Sequence, residues 1–281
     1  MSETTEPRPP ADNSAERPYR SAVGASRDDA IFVRGYNLAS QLMGRIDFGD
    51  MAYLLVSGEL PTRGQSVMFN AVLVALADHG MTATALAARL TYTGAPDSLQ
   101  GAVASGLLGA GSVFLGVTED TARLLADVLV EAGGASEEVS SERLATAAET
   151  VVGRCVDSGR RVPGIGHSIH RQTDPRTTRF YELAVEHGVL GPHLRALRQV
   201  HAAAQRRLGP KPINGAGAAG AVLADLGFPP EILRGFPLIA RTAGLLAHIR
   251  EEMSDPIGMP LWKGIDDQIE NTATYREGSD R

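Results

Sequence analysis

The stretch INGAGAAGAVLADLG, residues 213–227, decides between two fold classes. Its Gly215, Gly217 and Gly220 have the G-x-G-x-x-G spacing of a dinucleotide-binding turn, which follows a buried strand and opens a helix. The preceding residues 202–213, AAAQRRLGPKPI, are typical of a helix end and a proline-broken linker, and an acidic residue in a strand context is lacking about 20 positions further on. The stretch therefore predicts a helix of small residues and no NAD site.

Most of the remaining chain has the apolar spacing of amphipathic helices. Thr62 and Gln65 have the spacing of a capping box, and Thr118 is predicted to cap a helix with acids in its first turn. Sustained strand alternation is lacking. The sequence predicts an all-α fold with roughly ten or more helices.

Length, composition and charge restrict the class of protein. The 281 residues allow one large domain or two unequal ones, and 43% hydrophobic and 21% charged residues are ordinary for a globular protein. The net charge of −6 gives no general attraction to nucleic acid. Runs of about 18 apolar residues are absent, so we expect no membrane span. Cys155, the single cysteine, excludes an internal disulfide and fits a reducing cytoplasm.

Three predicted helices are rich in small residues, which allow helix backbones to approach closely. They are GAVASGLLGAG (101–111), NGAGAAGAVLA (214–224) and IARTAGLLAH (239–248). Two interpretations are open: tight packing within the chain, or a helix-packed interface between two copies of it.

A basic loop, GRRVPGIGHSIHRQTDPR at residues 159–176, leads into a predicted helix. Asp174 is its expected N-cap and Pro175 its first residue, so Arg176 lies in the first turn beside free backbone N–H groups. That end of a helix attracts anions, and an arginine there adds a bidentate clamp for a carboxylate.

The same loop carries His167, His170 and Arg171. Imidazoles beside guanidiniums suit a carboxylate or oxyanion site with a proton-transfer group. The alternative is a solvated basic loop in which His167 is a structural histidine. Zinc binding by His167 and His170 is disfavoured because no cysteine or nearby acid completes a ligand set.

Five segments, in order, resemble the citrate synthase family. They are IFVRGYNL (31–38), DFGDMAYLLVSGELPT (47–62), LADHGMTATALAARL (76–90), PGIGHSIHRQTDPR (163–176) and FPLIARTAGLLAHIREEMSDP (236–256). The short chain and the tripeptide DHG, where other members have DHE, look most like the citryl-CoA lyase branch, which also forms the last part of ATP-citrate lyase.

The resemblance implies a domain arrangement. After a disordered tail at residues 1–25, which is polar and proline-rich rather than a signal peptide, a large helical domain comprises 26–116 and 220–281. A small helical domain spans 117–219. Two subunits pair through packed helices, and a cleft between the domains closes over the site to exclude water.

The resemblance also implies roles for single residues. His79 matches a substrate-binding histidine, and His167 matches the histidine that contacts the substrate's carbonyl or hydroxyl oxygen. Arg176 and Arg241 match arginines that hold substrate carboxylates, and Arg171 matches a residue that contacts CoA phosphate in some members. The ligand is then a coenzyme A thioester, with no metal and no redox cofactor.

Three positions depart from the family pattern. Phe114 stands where synthases have a histidine that polarises the thioester, although the lyase branch also tends to have phenylalanine. Ala216 occupies the position of the family's catalytic aspartate. Met259 occupies the position of a later arginine that reaches across the dimer in the family. His170 or Glu119 could substitute for the lost acid.

The sequence thus predicts a cytoplasmic, homodimeric carbon–carbon lyase that cleaves a 3-hydroxy-3-carboxyacyl-CoA to an acyl-CoA and a 2-oxo acid. His167, His79 and His170 are its candidate catalytic residues. Two alternatives remain: a synthase-type acyltransferase with a changed acyl substrate, or a non-catalytic acyl-CoA-binding homologue, which Ala216 favours.

Overall fold

The computed structural model describes residues 19–134, 139–167 and 169–272. The chain divides into two compact units, residues 1–61 and 62–281. The predicted disordered tail lies mostly outside the described residues, although Gly24 and Ala25 belong to the first strand. The predicted domain boundaries after residues 116 and 219 fall inside the second unit and stay a prediction.

A short antiparallel sheet begins the first unit. Its strands are β1 (Gly24–Ser26), β2 (Ile31–Val33) and β3 (Tyr36–Asn37), in that order. Arg34 and Gly35 join β2 to β3 with φ angles of 49° and 86°, and two successive positive values are typical of a type I′ hairpin turn. The sequence did not predict this sheet, because strands of two or three residues are too short to show alternation.

The first unit continues as helix. A π-helical turn at Leu38–Leu42 leads to α1 (Phe48–Ser57). The Arg34 guanidinium donates to the carbonyl oxygen of Leu55, with Nη2 at 2.6 Å. This bond fastens the hairpin turn to α1.

The described part of the second unit is helical. Its helices are α2 (Arg63–Leu76), α3 (Ala83–Gly94), α4 (Leu99–Leu108), α5 (Val117–Glu131), α6 (Ser141–Asp157), α7 (Pro175–Glu186), α8 (Pro192–Leu208), α9 (Gly215–Asp225), α10 (Pro230–Leu233), α11 (Gly235–Ser254) and α12 (Gly258–Asp266). The predicted all-α fold class is confirmed for the described residues, with the small sheet of the first unit as an addition.

The small-residue stretch at 213–227 contains α9, a buried helix that packs against α2, α5, α7 and α8. A Cβ atom at Gly217 would overlap the Cα of Gly164, and one at Gly220 would overlap the carbonyl of Thr118. Both glycines therefore permit backbones to touch. Ile213, just before the helix, makes one isolated β-bridge rather than a strand. In α9 the small residues thus pack closely within the chain, which is one of the two interpretations that the sequence left open.

Two of the predicted helix starts can be compared with the structure. The Thr62 hydroxyl and the Gln65 side chain form the capping box in both directions, as predicted. The prediction for Thr118 was wrong: α5 begins one residue earlier, at Val117, and the Thr118 hydroxyl donates to the Leu115 carbonyl. Thr118 already lies inside the first turn, so its backbone is helical.

The long helix α11 packs against α2, α3 and α4. The stretch Pro230–Ser254 is long and apolar enough to cross a membrane, but buried core helices pass the same test, and the absence of a membrane span stays a prediction. The buried Glu252 of α11 pairs with Arg89 at 2.7 Å and accepts a hydrogen bond from the amide of Gly258 at 2.8 Å. This carboxylate thus joins α3, α11 and the start of α12.

Candidate active site

A cavity of about 220 Å³ in the second unit brings four of the predicted site residues together. His79 lies in the loop between α2 and α3, and His167 in the loop before α7. Arg176 lies in the first turn of α7, and Arg241 in the middle of α11. Ala216, in the first turn of α9, also lines the cavity. The roles predicted for these residues remain predictions.

Arg241 is a buried cation that forms no ion pair with any described residue. The residue is 6% exposed, and its Nε and Nη2 donate to the carbonyl of Leu76 at 3.3 and 3.2 Å. The charge of Asp78 acts on Arg241 and raises its pKa, but the two side chains form no ion pair among the described residues. Burial lowers the pKa of Arg241, but a guanidinium stays charged at neutral pH. Burial of a charge without an ion pair costs free energy, and an anion bound in the cavity would offset that cost.

Arg176 is held by an internal carboxylate. Asp174 caps α7 as predicted, and its oxygens also accept from Arg176 Nε at 3.0 Å and Nη2 at 2.8 Å. The same carboxylate accepts from the amide of Gly215 at 2.7 Å, which ties α7 to α9. Burial alone would raise the pKa of Asp174, but the hydrogen bonds from Arg176 and Gly215 hold it below 3.8. Arg176 is therefore fixed in position before any ligand arrives.

The hydrogen bonds of His167 determine its tautomer. Its Nδ1 accepts from the backbone amides of Ile169 and His170, both at 3.1 Å. Burial lowers the pKa of His167, so the neutral ring carries its proton on Nε2. Nη2 of Arg176 lies 3.5 Å from that nitrogen, but both groups are donors in this tautomer, so the contact is not a hydrogen bond. His167 can therefore donate a hydrogen bond to an oxygen atom in the cavity.

His79 follows the early end of α2. Helix α2 ends at Leu76, and Gly80 turns the chain with a φ of 71°. Burial lowers the pKa of His79, and the charges of Arg176 and Arg241 lower it further. His79 is thus a neutral imidazole, and a neutral imidazole can accept a proton.

The rest of the cavity wall is neutral. Val113, Phe114, Leu115 and Val117 supply apolar surface, and the described lining contains no aspartate or glutamate. Phe114 therefore borders the site at the position that the family resemblance assigned to it. The cavity has one cationic part and one apolar part.

A second, basic cavity of about 660 Å³ meets the first at Gly166 and His167. Its lining includes His170 and a set of basic side chains: Arg160, Arg161, Arg171 and Lys211. Arg171 and His170 thus face the basic cavity and are absent from the described lining of the first. The ring of His170 lies 4.6 Å from that of His167, centroid to centroid.

The structure shows an acid that the sequence reasoning on metals missed. His167, His170 and Asp174 have potential ligand atoms within 4.8 Å of one another. Asp174 was predicted as a helix cap, and its proximity to the imidazoles could not be seen in the sequence. Because Arg176 and Gly215 already donate to both of its oxygens, the cluster does not fit a metal ion.

Glu119 lies outside both cavities and is paired with Arg123 and Arg234, each at 3.0 Å. It is therefore not placed to replace the acid missing at residue 216. Met259, on α12, is 48% exposed and lies outside both described linings. Thr82 and Thr84 line the first cavity, although the sequence analysis gave them no role. The sequence pattern that could have indicated them is two threonines, two residues apart, at the start of the helix that follows His79.

The protein is helical, and a small cavity with two arginines and two histidines adjoins a larger basic cavity. Residues 63–261 match the family described as "Citrate synthase, C-terminal domain". The chain belongs to the citrate synthase family.

The chain is similar to several solved structures and curated proteins. Citryl-CoA lyase from Hydrogenobacter thermophilus is 29% identical, with a TM-score of 0.81 over 94% of this chain and 98% of that chain. ATP citrate lyase from Methanothrix soehngenii, solved with citrate and coenzyme A, shares the fold at 21% identity and a TM-score of 0.68, over all of this chain and 46% of that one. The predicted resemblance to the citryl-CoA lyase branch is confirmed.

The citrate synthase-like protein oryE of Aspergillus oryzae is 30% identical over 65% of this chain and 39% of that protein. The citrate synthase of Synechocystis is 24% identical over 79% of this chain and 54% of that protein. The chain thus spans about half, or less, of the length of these curated relatives.

Proposed function

We propose that this protein is a CoA-dependent carbon–carbon lyase of the citryl-CoA lyase type. Its substrate would be a 3-hydroxy-3-carboxyacyl-CoA, and its products an acyl-CoA and a 2-oxo acid. The observation that carries the proposal is the buried Arg241, which forms no ion pair among the described residues and lines the same cavity as Arg176 and two neutral histidines. Guanidiniums fixed in a cavity suit a polycarboxylate. The likeness to the Hydrogenobacter lyase over nearly the whole of both chains supports it.

Coenzyme A would lie in the basic cavity. Its phosphates need several cations, and Arg160, Arg161, Arg171 and Lys211 supply them without a carboxylate in the described lining. Because the two cavities meet at His167, a thioester chain could pass from the basic cavity into the smaller one.

The cleavage needs one proton removed and one returned. The substrate hydroxyl loses its proton, the bond to the carbon beside the thioester breaks, and the electron pair moves into a thioester enolate. The hydroxyl oxygen becomes the carbonyl oxygen of the 2-oxo acid, and protonation of the enolate carbon completes the acyl-CoA. We assign the proton transfers to neutral His79, and the hydrogen bond to the hydroxyl oxygen to Nε2–H of His167.

Substrate binding would make His79 a better base. After burial, the charges of Arg176 and Arg241 are what lower its pKa. Carboxylates bound to these arginines would offset their charge, so the pKa of His79 would rise when the complex forms. The same site run in reverse would act as a synthase.

A second candidate function is a non-catalytic acyl-CoA-binding protein. Ala216 favours it, because the described lining of the cavity offers no carboxylic acid. Turnover separates the two: a binder would retain the thioester and release no products.

We also infer a cytoplasmic homodimer with a small domain at residues 117–219, without metal or NAD. The single, buried Cys155 suits a reducing cytoplasm, and the family resemblance supports the dimer and the small domain. Analytical ultracentrifugation of the full chain tests the dimer.

The test of function is incubation of the full chain with citryl-CoA and related thioesters, followed by mass spectrometry of the products. We expect an acyl-CoA and a 2-oxo acid, and loss of turnover in His167→Ala. His187→Ala, outside both described linings, is the matched control and should keep activity. Retained thioester binding without products from any substrate would establish the binder instead.

A further inference from the structure

A pair of threonine hydroxyls lines the small cavity. The hydroxyl oxygens of Thr82 and Thr84 lie 2.8 Å apart, and Thr84 is 1% exposed. Each hydroxyl carries one proton, and the bond between them uses one of the two. One O–H group is therefore left to donate to a third partner.

The side chain of Thr82 has an unusual partner for its position. Thr82 is the N-cap of α3, where a threonine hydroxyl ordinarily accepts from a backbone amide of the first turn. Thr62 does so at the start of α2, but Thr82 makes no such bond. Its hydroxyl is paired with that of Thr84, and both residues line the cavity.

The pair lies beside the segment that supplies the apolar wall. The methyl group of Thr84 is 3.6 Å from the position of a Cβ at Gly109, and its carbonyl closely approaches Gly106 at the end of α4. The chain continues from there to Val113 and Phe114, which also line the cavity. The threonines thus border the neutral part of the site.

Most hydrogen-bonding groups on the remaining polar side chains of the described lining are already committed. Carboxylates would bind Arg176 and Arg241, and His167 donates to the hydroxyl oxygen in the proposed reaction. The side-chain amide of Asn214 donates to the Gly166 carbonyl, and its oxygen accepts from the Gly217 amide. Phe114 and Ala216 have no hydrogen-bonding side chains, so the free donors are the second N–H of Asn214 and one hydroxyl of the threonine pair, and only the pair borders the apolar wall through Gly106 and Gly109.

We propose that Thr82 and Thr84 together form the hydrogen-bond donor that stabilises the thioester oxygen of the substrate. The inference rests on the proposed function, because that oxygen carries the charge of the enolate when the carbon–carbon bond breaks. A neutral donor held in place before the reaction suits a neutral thioester and strengthens as charge develops. The electron pair released by the bond comes to rest on the enolate, and the threonines transfer no proton.

The first experiment measures polarisation of the carbonyl without turnover. Acetyl-CoA with an isotope-labelled carbonyl is bound to the full chain, and its stretching frequency is read by infrared difference spectroscopy. We expect a shift to lower frequency in the native protein, loss of the shift in Thr84→Val and Thr82→Val, and its return in Thr84→Ser. Thr91→Val, on the same helix but outside the described lining, should keep it.

The second experiment measures turnover of citryl-CoA. Thr84→Val should lower kcat by about 100-fold or more with little change in KM, because an oxyanion donor acts mainly in the transition state. Thr84→Ser should restore most of the rate. If valine at either position keeps both the carbonyl shift and the rate, the threonine assignment is wrong and the lyase function stands.

If the native protein turns over no thioester, the lyase function fails, and the carbonyl shift still decides the threonine assignment. Absence of any shift in the native protein would overturn the assignment. Thr82→Val repeats each measurement at a less buried position, so a misfolded Thr84 variant does not leave the question open.

Discussion

The carboxylate of Asp78 lies 3.0 Å from Nε2 of His248, and this contact ties the loop that carries His79 to α11. Arg241 lies on the same helix, about two turns earlier. The second oxygen of Asp78 accepts from the amide of Gly80, which shapes the loop itself. Burial would raise the pKa of Asp78, but the hydrogen bonds from Gly80 and His248 lower it.

We expect His248→Leu to release this loop. The variant should lose about 10-fold in kcat/KM, since a small misplacement of a catalytic group is costly, while its free energy of unfolding falls by only about 1 kcal/mol. His248→Gln, which can still donate to Asp78, should keep most of the activity. His187→Leu is the control. Equal losses in the leucine and glutamine variants would mean that His248 does not act through Asp78.

Asp174 should matter for stability as much as for the site. Its carboxylate is fully buried and bonded to Arg176 and Gly215, so Asp174→Asn should cost about 3 kcal/mol in urea unfolding at pH 7. The folded-state pKa of Asp174 lies below 3.8, so its contribution is present above that value and is lost as pH falls through the folded pKa. The difference in free energy of unfolding between the native protein and Asp174→Asn should therefore become smaller as the pH falls.

The exposed Asp157 supplies the control for that measurement. It is paired with Arg207 at 3.5 Å, but its side chain is 74% exposed, so Asp157→Asn should change stability by less than about 0.5 kcal/mol. If the stability difference between the native protein and Asp174→Asn stays constant down to acid pH, the ionised carboxylate of Asp174 is not what stabilises the fold.

The pH profile of the reaction should report His79. The neutral ring is the proposed base, and its pKa in the free protein lies below 6.5 because of burial and the two arginines. We expect kcat/KM to be constant at neutral pH and to fall only when pH drops below 6.5. His79→Ala should lose about 100-fold or more in rate. An acidic limb unchanged in His79→Ala would assign the titration to another group, with His167 the first alternative.

The sequence predicted the helices and the residues that meet in the cavity, for identifiable reasons. Caps and apolar spacing are local signals, so the helix that begins with Asp174 and Pro175 could be found directly. The assembly of His79, His167, Arg176 and Arg241 came from the family resemblance, since spacing alone does not bring residues so far apart in the chain together.

What the sequence missed depends on contacts between distant segments. The carboxylate of Asp174 binds Gly215, and the glycines of α9 touch the backbones of Gly164 and Thr118. Such contacts leave no periodic signal in the chain. Likewise, the direction of the Thr82 hydroxyl depends on Thr84 rather than on its role as a helix cap.

Replacement of two buried arginines should change the free energy of unfolding by very different amounts. Arg89, 3% exposed, is paired with Glu252, whereas Arg241, 6% exposed, bonds only a carbonyl among the described residues. Removal of Arg89 leaves a buried carboxylate unpaired, so Arg89→Met should cost about 3–5 kcal/mol of stability. Arg241→Met removes a desolvated charge instead, and should leave the free energy of unfolding within about 1 kcal/mol of the native value.

The cost of Arg241→Met should appear in substrate binding. Loss of a charge-assisted pair with a substrate carboxylate should raise KM for citryl-CoA by about 100-fold, and citrate should no longer raise the melting temperature. Urea unfolding of Arg89→Met, Arg241→Met and the native chain measures the stability change, and kinetics on the same three proteins measures KM. A large stability loss in Arg241→Met with unchanged KM would make Arg241 a structural residue, because the charge would then serve the fold rather than an anionic substrate.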